Sequence, residues 1–437
     1  MRKLTRFLPA LLVLALAHPF AASADQQDVP PYRGTANLEL VAHLPSAGGT
    51  DMEFFSRDLR TYRNYLGETI TIPDQQPPVT RHFAFVGNQT NGARIIDITS
   101  PEDPFSVYTF SNCKVGQGDI QIAPGGMVAS IAKQSGTCTV NGTAVGSGAI
   151  LVDLADVYAP KLVGYASHTT SGHNNTIHPS GKYLYISSSG KTPPTIPIFD
   201  ISDPAIPKRI KNWDPGGGDS PHDIRFSDDG TRAYMAGIDQ FRIVNTTDPE
   251  NPVVISTFTV PGSTVGHDAL VTPDKAFLFA GDELQGGGTA PCPGGAVYVY
   301  DIRGANELSP VLLGLIEAGA GPITGRNNDE AGVNPVSTNG CTSHVMALNP
   351  SKRSLTIGWY QAGARVFDFS GLYNADGTPN PQNTLAWGAY GAGPVKETAW
   401  IVPQGANTWS AKQYDRVPGY IFADDLVLGF YVVKIKP

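Results

Sequence analysis

Short apolar stretches recur along the chain, separated by clusters of Gly, Pro, Asp, Asn and Ser. They lack the i, i+3, i+4 spacing of an amphipathic helix. They alternate or run continuously apolar instead, as half-buried and fully buried strands do. The clearest recurring strand has the form Gly-Ala-x-h-h-Asp-h, with h apolar. It occurs at residues 92–98 (Gly-Ala-Arg-Ile-Ile-Asp-Ile), 148–154 and 363–369, and with one extra residue at 295–301. Weaker copies at 195–201, 240–245 and 429–435 bring the total to seven. The whole unit is clearest between 222 and 260. An apolar strand (222–226) leads through Ser-Asp-Asp-Gly into a second (231–236), then a third (241–245). A Pro-bracketed turn then leads to a fourth (253–260). Four short antiparallel strands in about 45 residues make a propeller blade.

The chain ends predict how such a ring closes. The last copy, 429–435, has no fourth strand after it, and residues 37–44 (Asn-Leu-Glu-Leu-Val-Ala-His-Leu) form a lone strand of the fourth type. Borrowing that strand completes the last blade and hides both edges. The predicted fold is therefore all-β: one seven-bladed β-propeller of four-stranded antiparallel blades over residues 25–437.

Composition agrees. Of 437 residues, 48 are Gly and 36 Pro, as tight turns require, and only 16% are charged. Residues 1–24 read as a secretory signal peptide. Arg2, Lys3 and Arg6 precede an apolar run from Phe7 to Ala17, and Ala22-Ser23-Ala24 is a small-residue cleavage site. The apolar run is too short to span a membrane, so a secreted or periplasmic protein without a membrane span is expected. Removing the signal takes the net charge from −8 to −11, which argues against nucleic acid as a partner. No assembly motif stands out, so a monomer is the default expectation.

Candidate chemistry comes from four histidines at one repeat position: His173, His222, His267 and His344. Each opens the first strand of a blade, strand A, which lines the central channel. Aligned blade by blade, the ring position reads Thr50, Gly118, His173, His222, His267, His344 and Glu397, the last taken as the start of the seventh strand A. Four imidazoles and a carboxylate at one channel mouth suit Fe, Cu, Mn or Zn. Thr50 and Gly118 would leave an open side for water or a small organic substrate. Glu397 is then a fifth ligand, an orienting group or a general base. Asp223 and Asp268 follow their histidines and, by strand alternation, are expected behind the imidazoles as orienting partners. The other readings of the ring are a structural set of polar groups and a metal-free site for a small molecule or an anion.

The strand pattern resembles the LVIVD-repeat family of β-propeller proteins, through segments such as Ile95-Ile96-Asp97 and Val152-Asp153. That resemblance implies a secreted or surface propeller and assigns no activity. The axial histidines are similar in arrangement, without shared motifs, to those of carotenoid-cleavage oxygenases and of selenium-binding, methanethiol-oxidase-like propellers. That likeness carries no residue roles.

Four cysteines allow three pairings. Cys113–Cys138 and Cys292–Cys341 are favoured because each pins loops on the face that carries the histidines. Long insertions lie on the same face, and Asp282, Glu283 and Arg326 within them are candidate substrate contacts. Two segments, 57–81 and 404–417, are read as insertions on the opposite face. Two functions follow. The first is a secreted metal-dependent enzyme for a small organic molecule, with oxidoreductase or oxygenase chemistry ahead of hydrolase or lyase chemistry. The second is a non-catalytic propeller that binds protein or glycan through its loops.

Overall fold

The computed structural model describes residues 28–169, 171–189, 194–219, 221–283, 295–318, 340–380 and 394–437. They form seven antiparallel blades around an axis. Successive A strands are Gly49–Leu59, Ile120–Ile122, Asn175–Ile177, Pro221–Phe226, Gly266–Val271, Met346–Asn349 and Thr408–Gln413. The seven repeated segments are the third, C, strands, such as Gly92–Asp97 and Ala364–Asp368. They are buried on both faces because adjacent blades pack against each side. Val86 and Ile96 of blade one, for example, share a core with Phe422, Phe430 and Val432 of blade seven.

The conserved form of the repeat has a local cause. Its terminal Asp or Asn accepts the backbone N–H two residues on, ending the strand in an Asx turn. Asp97, Asp153, Asp200, Asn245, Asp301 and Asp368 all do so, at 2.7–3.0 Å. The leading Gly sits at positive φ against a neighbouring backbone. Gly92 (φ 75°) and Gly363 (φ 72°) would each drive a Cβ into a carbonyl oxygen, that of Cys113 or Ile401.

The ring closes as expected from its ends. Leu38–Pro45 pairs with Gly429–Ile435 as the outer strand of blade seven. Tyr32–Gly34 adds a fifth strand to the edge of blade six, which the sequence pattern did not reveal. Seven polar contacts also circle the axis between neighbouring A strands. Thr50 Oγ1 donates to the Gly118 carbonyl (2.7 Å) and the Asn175 N–H to Asp119 (3.0 Å). Thr176 Oγ1 donates to the Ile224 carbonyl (2.6 Å), Arg225 Nε to Asp268 (3.0 Å), and the Met346 N–H to Asp268 (3.1 Å). The Val345 N–H donates to the Trp409 carbonyl (3.3 Å), and Ser410 Oγ donates to the Thr50 carbonyl (2.8 Å).

One blade differs from expectation. Glu397 does not open blade seven: Lys396–Pro403 is the outer strand of blade six, paired with Ala364–Asp368. Strand A of blade seven is Thr408–Gln413, so 404–417 is not an insertion. It packs on strand A of blade one just before the insertion 57–81, through Tyr414 stacked on Phe54 (4.9 Å) and bonded to Ser56 Oγ (2.7 Å). Among the described residues no helix is long and apolar enough to cross a membrane.

The closing strand buries Leu38, Leu40 and Leu44. At about 1.5–3 kcal/mol for each buried aliphatic side chain, its loss costs on the order of 5 kcal/mol or more. Deleting residues 28–45 is expected to abolish a single cooperative thermal transition. Deleting 28–36 alone, which removes only the fifth strand of blade six, should lower the midpoint by a few degrees. Calorimetry on both truncations checks this.

Candidate metal centre

The four histidines form one contiguous arc. His173 and His222 ring centroids lie 4.3 Å apart, His222 and His267 4.4 Å, and His267 and His344 3.9 Å. All four are at most 4% exposed. The local device that presents two of them is a β-bulge. Register shifts between Pro221 and Asp223, and again between Gly266 and Asp268, leave His222 and His267 without an opposite residue on strand B. A bulge re-aims one side chain out of the ladder, here into the channel mouth.

The arc continues differently from the sequence expectation. The equivalent bulge of blade seven lies between Thr408 and Ser410, at Trp409, whose indole is 4.1 Å from His344. Glu397 instead accepts from Arg365 Nη1 at 2.6 Å, within the sheet of blade six. The carboxylate at the ring is Glu283, placed at the end of strand B of blade five. Its Oε2 lies 3.8 Å from His267 Nε2 and its Oε1 3.6 Å from His344 Nε2. One ligand atom each from His222, His267 and Glu283 lies within 4.8 Å of the others, so these three buried residues can hold a metal ion. Sequence reasoning had placed Glu283 among substrate contacts.

Asp223 and Asp268 do not orient imidazoles. Asp268 accepts from Arg225 and from the Met346 N–H. Asp223 accepts the Ile224 N–H at 2.7 Å and lies 3.4 Å from Arg225 Nε. They belong to a charged layer beneath the ring, where Lys412 Nζ also sits 2.9 Å from Asp51 Oδ1. Arg225 and Lys412 occur three residues past the ring positions His222 and Trp409, a spacing visible in the repeat alignment once blade seven is placed correctly. Asp282 is a brace. Its Oδ1 accepts from Ser263 Oγ and from the Thr264 and Val265 N–H groups, and its carbonyl accepts the Thr342 and Ser343 hydroxyls. It thereby ties together the segments that precede His267 and His344.

On the other side of the ring Thr50 and Gly118 bond to each other and offer the centre no ligand. The Cys113–Cys138 disulfide is present. Cys341 is disulfide-bonded as well. Its expected partner Cys292, the candidate contact Arg326 and the signal segment 1–24 lie outside the described residues. Among the described residues, His43 and His178 serve the framework: His43 bonds the Leu428 carbonyl, and His178 bonds Ser180 and the Gly230 carbonyl at the opposite end of the blade.

The electrostatics favour a cation. Burial keeps all four imidazoles neutral, with neighbouring imidazoles adding to the effect for His173, His267 and His344. His222 is lowered to about 4 and His344 to about 3. His344 Nδ1 donates to the Trp409 carbonyl (3.0 Å), which leaves Nε2 as a lone pair facing Glu283. The Nδ1 atoms of His173, His222 and His267 are buried and have no hydrogen-bond partner. Buried polar atoms are usually paired, so these three are open to water or another ligand. Glu283 is raised to about 7 by burial, although the Tyr360 hydroxyl donates to its Oε1 at 2.7 Å. Tyr360 is itself held at φ 38°, a left-handed conformation that costs a non-glycine residue roughly 1–3 kcal/mol.

A profile of the LVIVD repeat matches residues 79–110 and 171–214. The chain carries LVIVD repeats. These segments cover strands B to D of blade one and all four strands of blade three, with His173 just before them. No curated protein matches the chain by sequence. Many solved structures are similar in fold, and three illustrate the likeness. The Cps50 (Swd1) β-propeller domain of Myceliophteria thermophila is 10% identical, covers 91% of this chain and 100% of its own, and has a TM-score of 0.55. The hydrazine synthase of Kuenenia stuttgartiensis is 13% identical, covering 80% and 92%, with a TM-score of 0.56. The periplasmic gluconolactonase of Pseudomonas aeruginosa is 12% identical, covering 81% and 96%, with a TM-score of 0.52. At these identities the likeness is one of fold alone.

The pH dependence of the metal-free protein follows from the neutral imidazoles. Free histidine takes up a proton near 6.5, but folded His222 does so only near 4 and His344 near 3. Unfolding therefore binds protons below pH 6.5, and stability falls progressively from there towards pH 4. Glu283 acts in the opposite sense. Its folded value of about 7 lies above the usual 4.5, so its contribution is full below 4.5 and is lost as the pH rises through 7. Asp223, raised to about 7 by burial, acts in the same sense as Glu283, so the histidine effect is read as a difference: in chelator, the thermal midpoint of a His222→Ala/His344→Ala double variant should rise relative to wild type as the pH falls from 6.5 to 4.5.

Proposed function

We propose that this propeller is a metal-dependent enzyme whose ion is held by His222, His267 and Glu283, with His344 and His173 beside them. The observation that carries the reading is that buried His222, His267 and Glu283 each bring one ligand atom within 4.8 Å of the others. Two neutral imidazoles and one carboxylate are a donor set for divalent Fe, Mn, Cu or Zn, and they leave coordination positions free. Such an ion supplies Lewis-acid or redox chemistry, and with this donor set redox or oxygen chemistry on a small organic molecule ranks ahead of hydrolysis or lyase chemistry. The substrate enters on the side of Thr50 and Gly118, where no side chain competes for the ion. Export through segment 1–24 to the periplasm or medium accords with the Cys113–Cys138 disulfide, which persists in an oxidising compartment. Enzymes also occur among the similar folds, by the descriptions of the hydrazine synthase and the gluconolactonase.

Elemental analysis of protein matured outside the cytoplasm tests this directly. About one transition-metal ion per chain is expected, with the content falling at least tenfold in His222→Ala, His267→Ala and Glu283→Gln. Purified protein without metal, which neither gains an ion on reconstitution nor rises in thermal midpoint with any of the four metals, would sink the reading.

A further inference from the structure

Tyr360 lies in the turn between strands Ser354–Gly358 and Ala364–Asp368 of blade six and was not among the residues expected from the repeats. Its positive φ of 38° puts a bulky side chain in a backbone conformation that favours glycine. Two reciprocal hydrogen bonds hold it there: the Tyr360 N–H donates to the Thr408 carbonyl and the Thr408 N–H to the Tyr360 carbonyl, both at 2.9 Å. The ring is 2% exposed, packs 4.7 Å from the His344 imidazole, and delivers its hydroxyl to Glu283 Oε1 at 2.7 Å. Glu283 Oε2 is the oxygen turned towards His267. Oε1 is thus occupied by a donor from another blade and lies on the His344 side, 3.6 Å from its Nε2, while Oε2 lies on the His267 side at 3.8 Å.

We infer that Tyr360 is a positioning residue that holds Glu283 as a one-oxygen ligand, with Oε2 presented to the ion and Oε1 kept out of its coordination sphere. The inference rests on the metal-site reading above. Strained backbone at a site is retained when the side chain it delivers is used there, and hydrogen-bond partners of metal ligands set ligand orientation and affinity. The clamp to Thr408 also makes the ligand geometry depend on how blade seven docks against blade six.

The test uses full-length mature protein, stripped of metal and titrated with Co(II) against a chelator. Wild type, Tyr360→Phe and Tyr360→Gly are compared by affinity and by the visible d–d spectrum. Tyr360→Phe keeps the ring and removes only the hydroxyl, and Tyr360→Gly suits the positive φ, so at least one variant should retain the fold by circular dichroism. The expected result is a 10- to 100-fold weaker affinity in both, with an altered d–d spectrum in Tyr360→Phe as Glu283 becomes free to bind through both oxygens. Wild-type affinity and an unchanged spectrum in a folded variant would overturn the role of Tyr360 while leaving the metal site intact. Failure of wild type itself to bind Co(II) would overturn the metal reading and this inference together.

Discussion

Closure of the ring is the constraint on which everything else depends. A blade cannot bury both of its faces alone, so each must sit between two neighbours, and the last must meet the first. Two sets of contacts enforce this. On the outside, Leu38–Pro45 completes blade seven and hides the edge of Gly429–Ile435. On the inside, hydrogen bonds and ion pairs run from each A strand to the next until Ser410 returns to Thr50. The inner contacts are polar because the A strands converge on the axis, where there is little room for interdigitated apolar side chains. A polar lining at the axis in turn lets ionisable groups be buried without being isolated. Arg225 and Lys412 sit among carboxylates.

The histidine arc follows from the same geometry. In blades three to six a histidine sits at, or two residues before, the start of strand A, at the mouth of the channel. In blades four and five a bulge turns that residue further inward and frees it from the ladder. Once four imidazoles lie about 4 Å from one another and away from water, none can hold a proton easily. What remains is a set of lone pairs and one carboxylate, Glu283, whose charge is unfavourable to bury unless a cation accompanies it. Asp282 braces the loops on either side, and Tyr360 reaches in from blade six. The centre is therefore assembled from at least three blades, and its precision depends on how well they pack.

The fold was largely legible in the sequence because its signal is local. The repeated Asp ends strand C by capping the turn that follows, as Asp97 and Asp153 show, and the leading Gly is required where backbones approach, as at Gly92 and Gly363. Neither depends on distant residues. Blade seven was misread because its signal is not local. Thr408–Gln413 reads as a polar loop, since it lines a polar channel and shares the cost of its charges with Asp51 and Glu53 on the far end of the chain. The alternating segment from Glu397 to Ile401 looks like an inner strand, but a long connection after strand C returns it to the outside of blade six. Its carboxylate then belongs to Arg365.

The sequence by itself determined the class of fold, the closure by the N-terminal strand and the register of the four histidines, each encoded by periodicity or by repeat position, and it favoured the Cys113–Cys138 bridge that the structure shows. Only the tertiary structure decided which carboxylate joins the ring, replacing Glu397 with Glu283. It also moved Asp223 and Asp268 from behind the imidazoles to a charged layer beneath them, and it brought Trp409 and Tyr360 to the edge of the arc. The reason is physical. Repeat position fixes where a backbone lies on the ring, but bulges, loop returns and contacts between blades decide where the side chains point.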